Sequence, residues 1–453
     1  MDRVLAVRVI SLYAPAALVA LAWVLRPPAR RRATAALLAC AWSVPSLLLV
    51  NVAAREVGWW TFAPGAGAIA GVPGDLLLGW MLLWGALPVL IAPRAPLVAI
   101  VALLAAFDVA TMPLMTPALR LGEHWLVGEA VAIAVALIPA QLLARWTWRS
   151  RRVGVRAAMQ AVVFGAVLLW IFPELIFLYT AGTWRQLLDT WNAYGGVHVQ
   201  LALIPAVMGL SAVQEFAERG RGTPIPFDPP RRLVTSGPYA YVANPMQLSM
   251  ALVLTSWGLI IGSAWMALAG PMSFAYSLGL ARWDEESDLG RRFGTPWCSY
   301  RRHVRAWIPR VRPYHASVDS ADVPVSDAPA RRAARLYVAA SCGKCSELAA
   351  WFAERGPRGL EIVAAELHPS RDLTRITYDA GDGGADEGVA AVARALEHVH
   401  LGWALLGWMM RLPIVRPGLQ LVVDASGGEP RVVARDDALR IADAVTRTEV
   451  CSR

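Results

Sequence analysis

The stretch LVTSGPYAYVANP, Leu233 to Pro245, leads from a basic segment into a long apolar one. Pro238 and Pro245 each break helix and force extended backbone on the residue before them. Gly237 lets the chain come close to another group. Two apolar runs follow almost without a gap, at approximately 244–262 and 264–282, as in a helical hairpin. Irregular backbone at a membrane boundary must be buried in protein or face a polar cavity. Directly after the hairpin come Asp284-Glu285-Glu286 and Leu289, then Phe293-Gly294, Tyr300 and the basic Arg301-Arg302-His303, ending near Pro309. Two adjacent carboxylates at the end of a span hold a cation, take a proton, or simply form a solvated helix end.

Working outward, seven more apolar runs precede the hairpin, at approximately 4–25, 33–54, 73–92, 95–116, 125–144, 156–179 and 196–216. Crossing a bilayer as helix takes about 20 residues, so nine spans are expected. Composition agrees. Of 453 residues, 56% are hydrophobic and 17% charged, against about 45–50% and about 25% in soluble domains. Neither a disordered chain nor a single soluble globule has that balance. Fourteen arginines fall in one set of connections (Arg26, Arg30–Arg32, Arg94, Arg145–Arg156, Arg219–Arg232) and three, Arg55, Arg120 and Arg185, in the other. Positive residues stay cytoplasmic. The expected topology therefore has the N-terminus outside, despite Arg3 and Arg8, and everything after the ninth span in the cytosol. The net charge of +9 then follows from topology and calls for no nucleic acid. The first run is too long for a cleavable signal peptide and has no clear small-residue cleavage site. Five cysteines are too few for a secreted disulfide scaffold. Gly65-Ala-Gly67-Ala-Ile-Ala-Gly71 echoes a dinucleotide-binding fingerprint, but it lies between two spans rather than between a strand and a helix, and reads as a turn.

With Gly237-Pro238-Tyr239, Asn244-Pro245, Glu285-Glu286, Leu289, Phe293-Gly294 and Tyr300 in one register, residues 233–310 resemble the membrane-embedded methyltransferases of the isoprenylcysteine carboxyl methyltransferase and phospholipid methyltransferase superfamily. The resemblance implies an S-adenosylmethionine-dependent enzyme acting on a lipid-like acceptor in the bilayer. It places Gly237, Pro238, Tyr239, Asn244, Pro245, Glu285, Glu286 and Tyr300 around the cofactor on the cytosolic side. Carboxylates near a low-dielectric wall suit a sulfonium and an ammonium. An amine or hydroxyl acceptor needs a base, which Glu285 or Glu286 would supply, whereas a carboxylate needs none. Three positions depart from the pattern. Ala243 stands where an arginine is usual, Gln247 where tyrosine is frequent, and Trp297 where tyrosine is common. The domains expected are 1–155, five spans of unknown role; 156–310, the methyltransferase-like core; 311–334, a linker rich in Pro, Ser, Ala and Asp; and 335–453, a soluble α/β domain.

That last domain opens with strand Leu336–Ala340, then Ser341-Cys342-Gly-Lys-Cys345 at the start of a helix. A helix N-terminus and Lys344 stabilise a thiolate at Cys342. A strand at Leu360–Ala365 and helices at Glu387–His400 and Leu401–Arg411 are expected next. A hairpin of Leu419–Asp424 and Arg431–Ala434 about Gly427-Gly428 follows, then a helix near Asp436–Thr446. The segment resembles thioredoxin-like thiol-disulfide oxidoreductases of the Asp-x-x-Cys-x-x-Cys type, including the helix from Gly388 and the Leu412-Pro413…Arg416-Pro417 segment. The resemblance implies redox catalysis by Cys342 and Cys345 with a thiol reductant as partner, and makes Pro417 a candidate cis-proline facing them. The signature acid is missing from Val338–Ser341. A metal site or a binding-only fold is the alternative; a metal would need further ligands, and His398 and His400 are two candidates on an expected helix. Cys40, Cys298 and Cys451 read as isolated cysteines. If the membrane part is inactive, the chain is a membrane-anchored thiol-disulfide oxidoreductase. Asp75, Asp108, Glu129 and Glu174 are ionisable residues within or beside the spans, the kind that mark a pathway.

Overall fold

The structure is a computed structural model describing residues 2–65, 67–194, 196–225, 228–278, 282–315, 333–369, 372–381 and 384–433, with the side chains of 194 and 282–287 outside that description. The chain divides into two compact units. One holds Met1–Ala193, Phe216–Arg231 and Trp257–Met266; the other holds Tyr194–Glu215, Arg232–Ser256 and Ala267–Arg453.

In the first unit, α1 (Arg3–Leu25) starts where Asp2 accepts the Val4 N–H. It is followed by α2 (Arg30–Val57), α3 (Gly74–Ile91), α4 (Leu97–Met115), α5 (Trp125–Trp148), α6 (Val153–Phe177) and the short α7 (Arg185–Tyr194). The sequences of α1–α6 are apolar almost all round, as for helices with no wet face, whereas α7 is amphipathic. Central α2 packs on α3 and α5 through small residues such as Ala35, Ala39 and Ala54, all fully buried, which let helix backbones approach. Strands β1 (Trp60–Phe62) and β4 (Leu119–Leu121) pair antiparallel. Between them in sequence, β2 (Ala68–Ile69) and β3 (Val72–Pro73) form a small hairpin. Its turn residues Ala70 and Gly71 have φ of 49° and 76°, so the glycine-rich stretch is a turn, as its position implies. Basic side chains serve packing here. Arg145 Nη2 donates to Ala95 O at 2.6 Å, and fully buried Arg156 pairs with Asp228 at 2.5 Å.

The second unit begins with α8 (Val197–Glu218) and includes most of the hairpin helices α9 (Pro245–Ile260) and α10 (Ala264–Tyr276). Gly209 lies against Ser249, and Gly270 against Thr255 and Ala251 O, so each glycine marks a close helix approach that a Cβ would block. Among the described residues, α1–α6 and α8 make seven helices long and apolar enough to cross a membrane. The eighth and ninth expected spans are helical, but at 16 and 13 residues they rise only about 24 and 20 Å, against a hydrocarbon core of about 30 Å. The end of α10 adjoins 279–281, outside the described residues. Helix α11 (Arg282–His303) is broken at Gly294, with φ 53° and ψ −132°.

Beyond residue 333 the unit holds a four-stranded sheet in the order β6-β5-β7-β8. Strand β5 (Ala334–Val338) lies parallel to β6 (Leu360–Ala364) and antiparallel to β7 (Thr377–Asp379), which pairs antiparallel with β8 (Ala385–Glu387). Helix α12 (Gly343–Glu354) links β5 to β6, and α13 (Val389–Leu396), α14 (Leu401–Arg411) and α15 (Val415–Val423) follow. Leu336, Phe352, Ala391 and Ala395 are fully buried between sheet and helices.

Two expectations are corrected here. The segment expected as strand Leu419–Asp424 is helix α15, and Pro417 lies within that helix rather than facing the cysteines. The reason is side-chain bonding at helical spacing. Gln420 Nε2 donates to Asp424 four residues on, while Gln420 Oε1 accepts the Val389 N–H at the start of α13. Its β-branched run Val422-Val423 is overruled by tertiary context. The hairpin is β7–β8 instead, and Asp379 accepts the Gly381 N–H at the start of its turn. Val433 makes only an isolated bridge to Leu373. The helix expected at 436–446 and most of the expected linker, 316–332, lie outside the described residues.

Candidate functional site

The motif around Gly237 is a buried knot. Residues Gly237–Ala240 make one turn of 3-10 helix, all of them buried. Gly237 has φ of 59°, and a Cβ there would also press on the Glu215 side chain at 3.1 Å. Tyr300 is 1% exposed and donates its hydroxyl to Tyr239 O at 2.8 Å. Burial pushes its phenol above the usual range, so it stays a donor. Its ring packs edge-on against Tyr314. Asn244 O accepts the Leu248 N–H, so Asn244 caps α9 and Pro245 occupies the first helical position, where a missing N–H costs nothing. Gly237, Pro238, Tyr239, Asn244, Pro245 and Tyr300 are therefore brought together. Glu285 and Glu286 lie in α11, with their side chains outside the described residues.

Under this knot sits a charge cluster that the sequence reading missed. Glu215, fully buried at the end of α8, accepts from Ser236 Oγ at 2.6 Å. It also accepts from Arg394 at 2.7 Å and Arg411 at 3.3 Å. Glu397 bonds the same two arginines at 3.4 and 3.0 Å. Tyr241 reaches the same helices, donating to Glu397 O at 2.9 Å and packing edge-on against the fully buried Trp408. The available signal was a charged pair at i and i+3, Arg394 and Glu397, in an otherwise apolar helix.

Cys342 is the N-cap of α12 and is partly exposed, with Cys345 one turn on. The Cys345 thiol and the N–H groups of Cys345 and Lys344 bond to Cys342, and Arg431 adds positive charge, so its thiol is held below the usual range. Burial, the bond to Cys342 and the nearby carboxylate of Glu366 push Cys345 up to about 12. Glu366, 2% exposed, accepts from Ala340 N, Ser341 N and Ser341 Oγ, each at 3.2 Å. Burial works against its charge, but these bonds outweigh it and hold the carboxylate below its ordinary range. An acid thus reaches the loop from beyond β6, although none stands in Val338–Ser341. His398 bonds Arg358 O and Tyr378, and His400 caps α14, so the two histidines point to packing and capping roles.

Of the acids in or beside the spans, Asp75 pairs with Arg8 at 2.6 Å, Asp108 accepts from Trp84 at 2.9 Å and Glu174 from Trp184 at 2.7 Å. Glu129 Oε1 is buried without a partner and borders a cavity of about 20 Å³ with Asn51, Trp60 and Trp84, room for about one water.

Residues 198–295 match the family model for phospholipid methyltransferase. The match covers the motif from Gly237 to Gly294 and stops short of Tyr300. No curated protein and no solved structure matches the chain. The methyltransferase match and seven apolar helices make this an integral membrane protein of the helical class, and a membrane methyltransferase is the activity the match supports. Glu215 and the whole Gly237–Pro245 turn fall inside the matched residues; Arg394 and Arg411 fall outside them.

Proposed function

We propose that the chain is an S-adenosylmethionine-dependent methyltransferase with a lipid-like acceptor in the bilayer. In this reading the N-terminus lies outside, and the segment from residue 311 lies in the cytosol, where the cofactor is supplied. The observation that carries it is the buried Gly237–Ala240 turn inside the matched segment, locked by Tyr300 from one side and by Glu215 from the other. A turn so fixed presents its backbone to a ligand without reorganising.

The donor set suits a cationic cofactor. Glu285 and Glu286 would hold its sulfonium and ammonium charges, and Gly237, Pro238, Tyr239, Asn244 and Pro245 would bound it. When bound, it supplies an electrophilic methyl group. Tyr300 acts on the turn through Tyr239 O, since its hydroxyl is already donated there. Where the acceptor carries a proton, Glu285 or Glu286 takes it; a carboxylate acceptor needs neither. Labelled S-adenosylmethionine binding to the protein in lipid nanodiscs tests this. Saturable binding that is lost in Glu286→Gln, with folding and insertion retained, is expected. Unchanged binding in that variant overturns the assignment of the acidic pair.

A second activity has its own support. The Cys342–Cys345 pair at a helix N-terminus, split into one lowered and one raised thiol, suits thiol-disulfide exchange with a thiol reductant. A parallel β5–β6 pair extended by two antiparallel strands suits the thioredoxin-like reading. Should the membrane segment bind no cofactor, this redox pair is the remaining activity. Titration of the dithiol in wild type and Cys342→Ser separates the two.

A further inference from the structure

Between residues 301 and 312 the chain carries five arginines and one histidine and no acid. This stretch lies beyond the family match, and neither proposed activity gives its arginines a role. It runs as a strap along the motif. Ala243 N donates to Arg305 O at 2.9 Å, Asn244 N to Ala306 O at 3.2 Å, and Arg310 N to Tyr241 O at 2.8 Å. These bonds fix the strap beside Pro245, where apolar α9 begins. Trp307 anchors it from behind, its ring edge-on to Phe274 of α10 at 4.8 Å.

The strap borders an open pocket of about 350 Å³ lined by His303, Arg305, Ile308, Arg310, Val311 and Arg312. Arg310 Nη1 donates to His303 O at 3.2 Å across it. Arg305 and Arg312 are exposed. So are two apolar side chains set between the cations, Ile308 at 60% and Val311 at 72%. A soluble anion has no use for those apolar tips. A ligand with a phosphate and an acyl chain uses both. Positive-inside topology alone does not account for this design, because arginines of the 145–156 connection are built into packing, Arg156 against Asp228 and Arg145 on Ala95 O.

We propose that the 301–312 strap is a binding site for an anionic phospholipid, with Arg305, Arg310 and Arg312 on the phosphate oxygens and Ile308 and Val311 at the acyl boundary. Clustered arginines beside a span attract anionic headgroups, and guanidinium pairs with phosphate in fork geometry. The site is separate from methyl transfer, and its assignment is the same whichever acceptor the enzyme uses.

The test compares the full chain in nanodiscs of phosphatidylcholine alone and with added phosphatidylglycerol, read by lipid retention in native mass spectrometry and by Tm. Phosphatidylglycerol is expected to be retained and to raise Tm in wild type. An Arg305→Gln, Arg312→Gln double variant is expected to retain it roughly tenfold less. An Arg149→Gln, Arg151→Gln double variant removes the same charge from another basic connection and is expected to behave as wild type. Equal losses in both doubles reduce the effect to net charge and overturn the site. So does an absence of any phosphatidylglycerol effect. If inorganic phosphate in phosphatidylcholine nanodiscs reproduces the Tm rise, the ligand is a free anion and the lipid assignment falls.

Discussion

Glu215 accepts a hydrogen bond from Arg394 at 2.7 Å across 179 residues of sequence, and both side chains are buried. With Arg411, Glu397 and Asp386, which pairs with Arg394 Nε at 3.2 Å, they form a largely buried cluster of acids and arginines. Burying ions costs several kcal/mol each and is recovered only with close, multiple pairing. This set meets that condition. It also fastens α8, which carries the motif's neighbour Glu215, to α13 and α14. The helices after the sheet are therefore part of the structure that holds the Gly237 turn.

Removing one member of the set should be worse than removing two. Glu215→Leu takes a fully buried counter-charge from Arg394 and Arg411 and is expected to cost about 3–5 kcal/mol. Adding Arg394→Met to it removes the buried cation that Glu215 bonds most closely and should recover part of that loss. Thermal unfolding of the single and double variants in one lipid checks this. A double variant less stable than the single would show that the buried set is not the source of the cost.

Tyr300→Phe deletes the hydroxyl that donates to Tyr239 O. Loss of that hydrogen bond to a buried carbonyl costs about 1–3 kcal/mol. The Gly237–Ala240 turn should loosen, with S-adenosylmethionine affinity falling while the protein still inserts. Binding in nanodiscs reads the affinity. Wild-type affinity together with wild-type Tm would remove Tyr300 from any role in the turn.

The two thiols should separate by pH. Cys342 lies below its ordinary range and Cys345 is pushed up to about 12. Near neutral pH, iodoacetamide should therefore alkylate Cys342 far faster than Cys345, as peptide mass spectrometry would show. Cys345→Ser replaces the thiol that bonds Cys342 and should slow that alkylation. Glu366→Gln should lower the Cys345 value, because a negative charge holding the thiol protonated is gone.

Stability of the sheet-containing segment should fall in acid through His398. Its ring accepts from Tyr378 at 2.9 Å and bonds Arg358 O at 2.7 Å, which the neutral form with a proton on Nδ1 satisfies. Burial lowers its value from 6.5 to about 4. Between those limits the unfolded chain binds the proton and the folded one does not, so this contribution is complete above pH 6.5 and is lost as pH falls toward 4. The loss is on the order of 2–3 kcal/mol. His398→Asn should flatten the fall of Tm over that interval. An unchanged slope would assign the acid sensitivity to other groups.

Much of this chain was legible locally. The apolar runs at α1–α6 and α8 sit where the sequence puts them, within a few residues, because a 20-residue apolar stretch has one low-energy state in lipid. Asn244-Pro245 opens α9 and Cys342 opens α12 because caps and prolines act on adjacent residues. The errors fell where local preference was weak. The Leu419–Asp424 run has strand-like residues, but Gln420 and Asp424 bond at helical spacing and tie α15 to α13. The true hairpin, β7–β8, has three-residue strands, too short to show alternation.

The sequence by itself determined that this protein lives in a membrane, that a methyltransferase-like motif stands at the Gly237 turn, and that two cysteines flank the start of a helix. Each is a property of neighbouring residues, set by apolar length, proline and glycine geometry, or spacing. Only the tertiary structure decided that Glu215 answers Arg394, that Tyr300 locks Tyr239, that Glu366 reaches the cysteine loop, and that the arginine strap lies along Ala243 and Asn244. Those are pairings between distant segments. A charged side chain in an apolar helix shows that it needs a partner, but which partner depends on which helices meet.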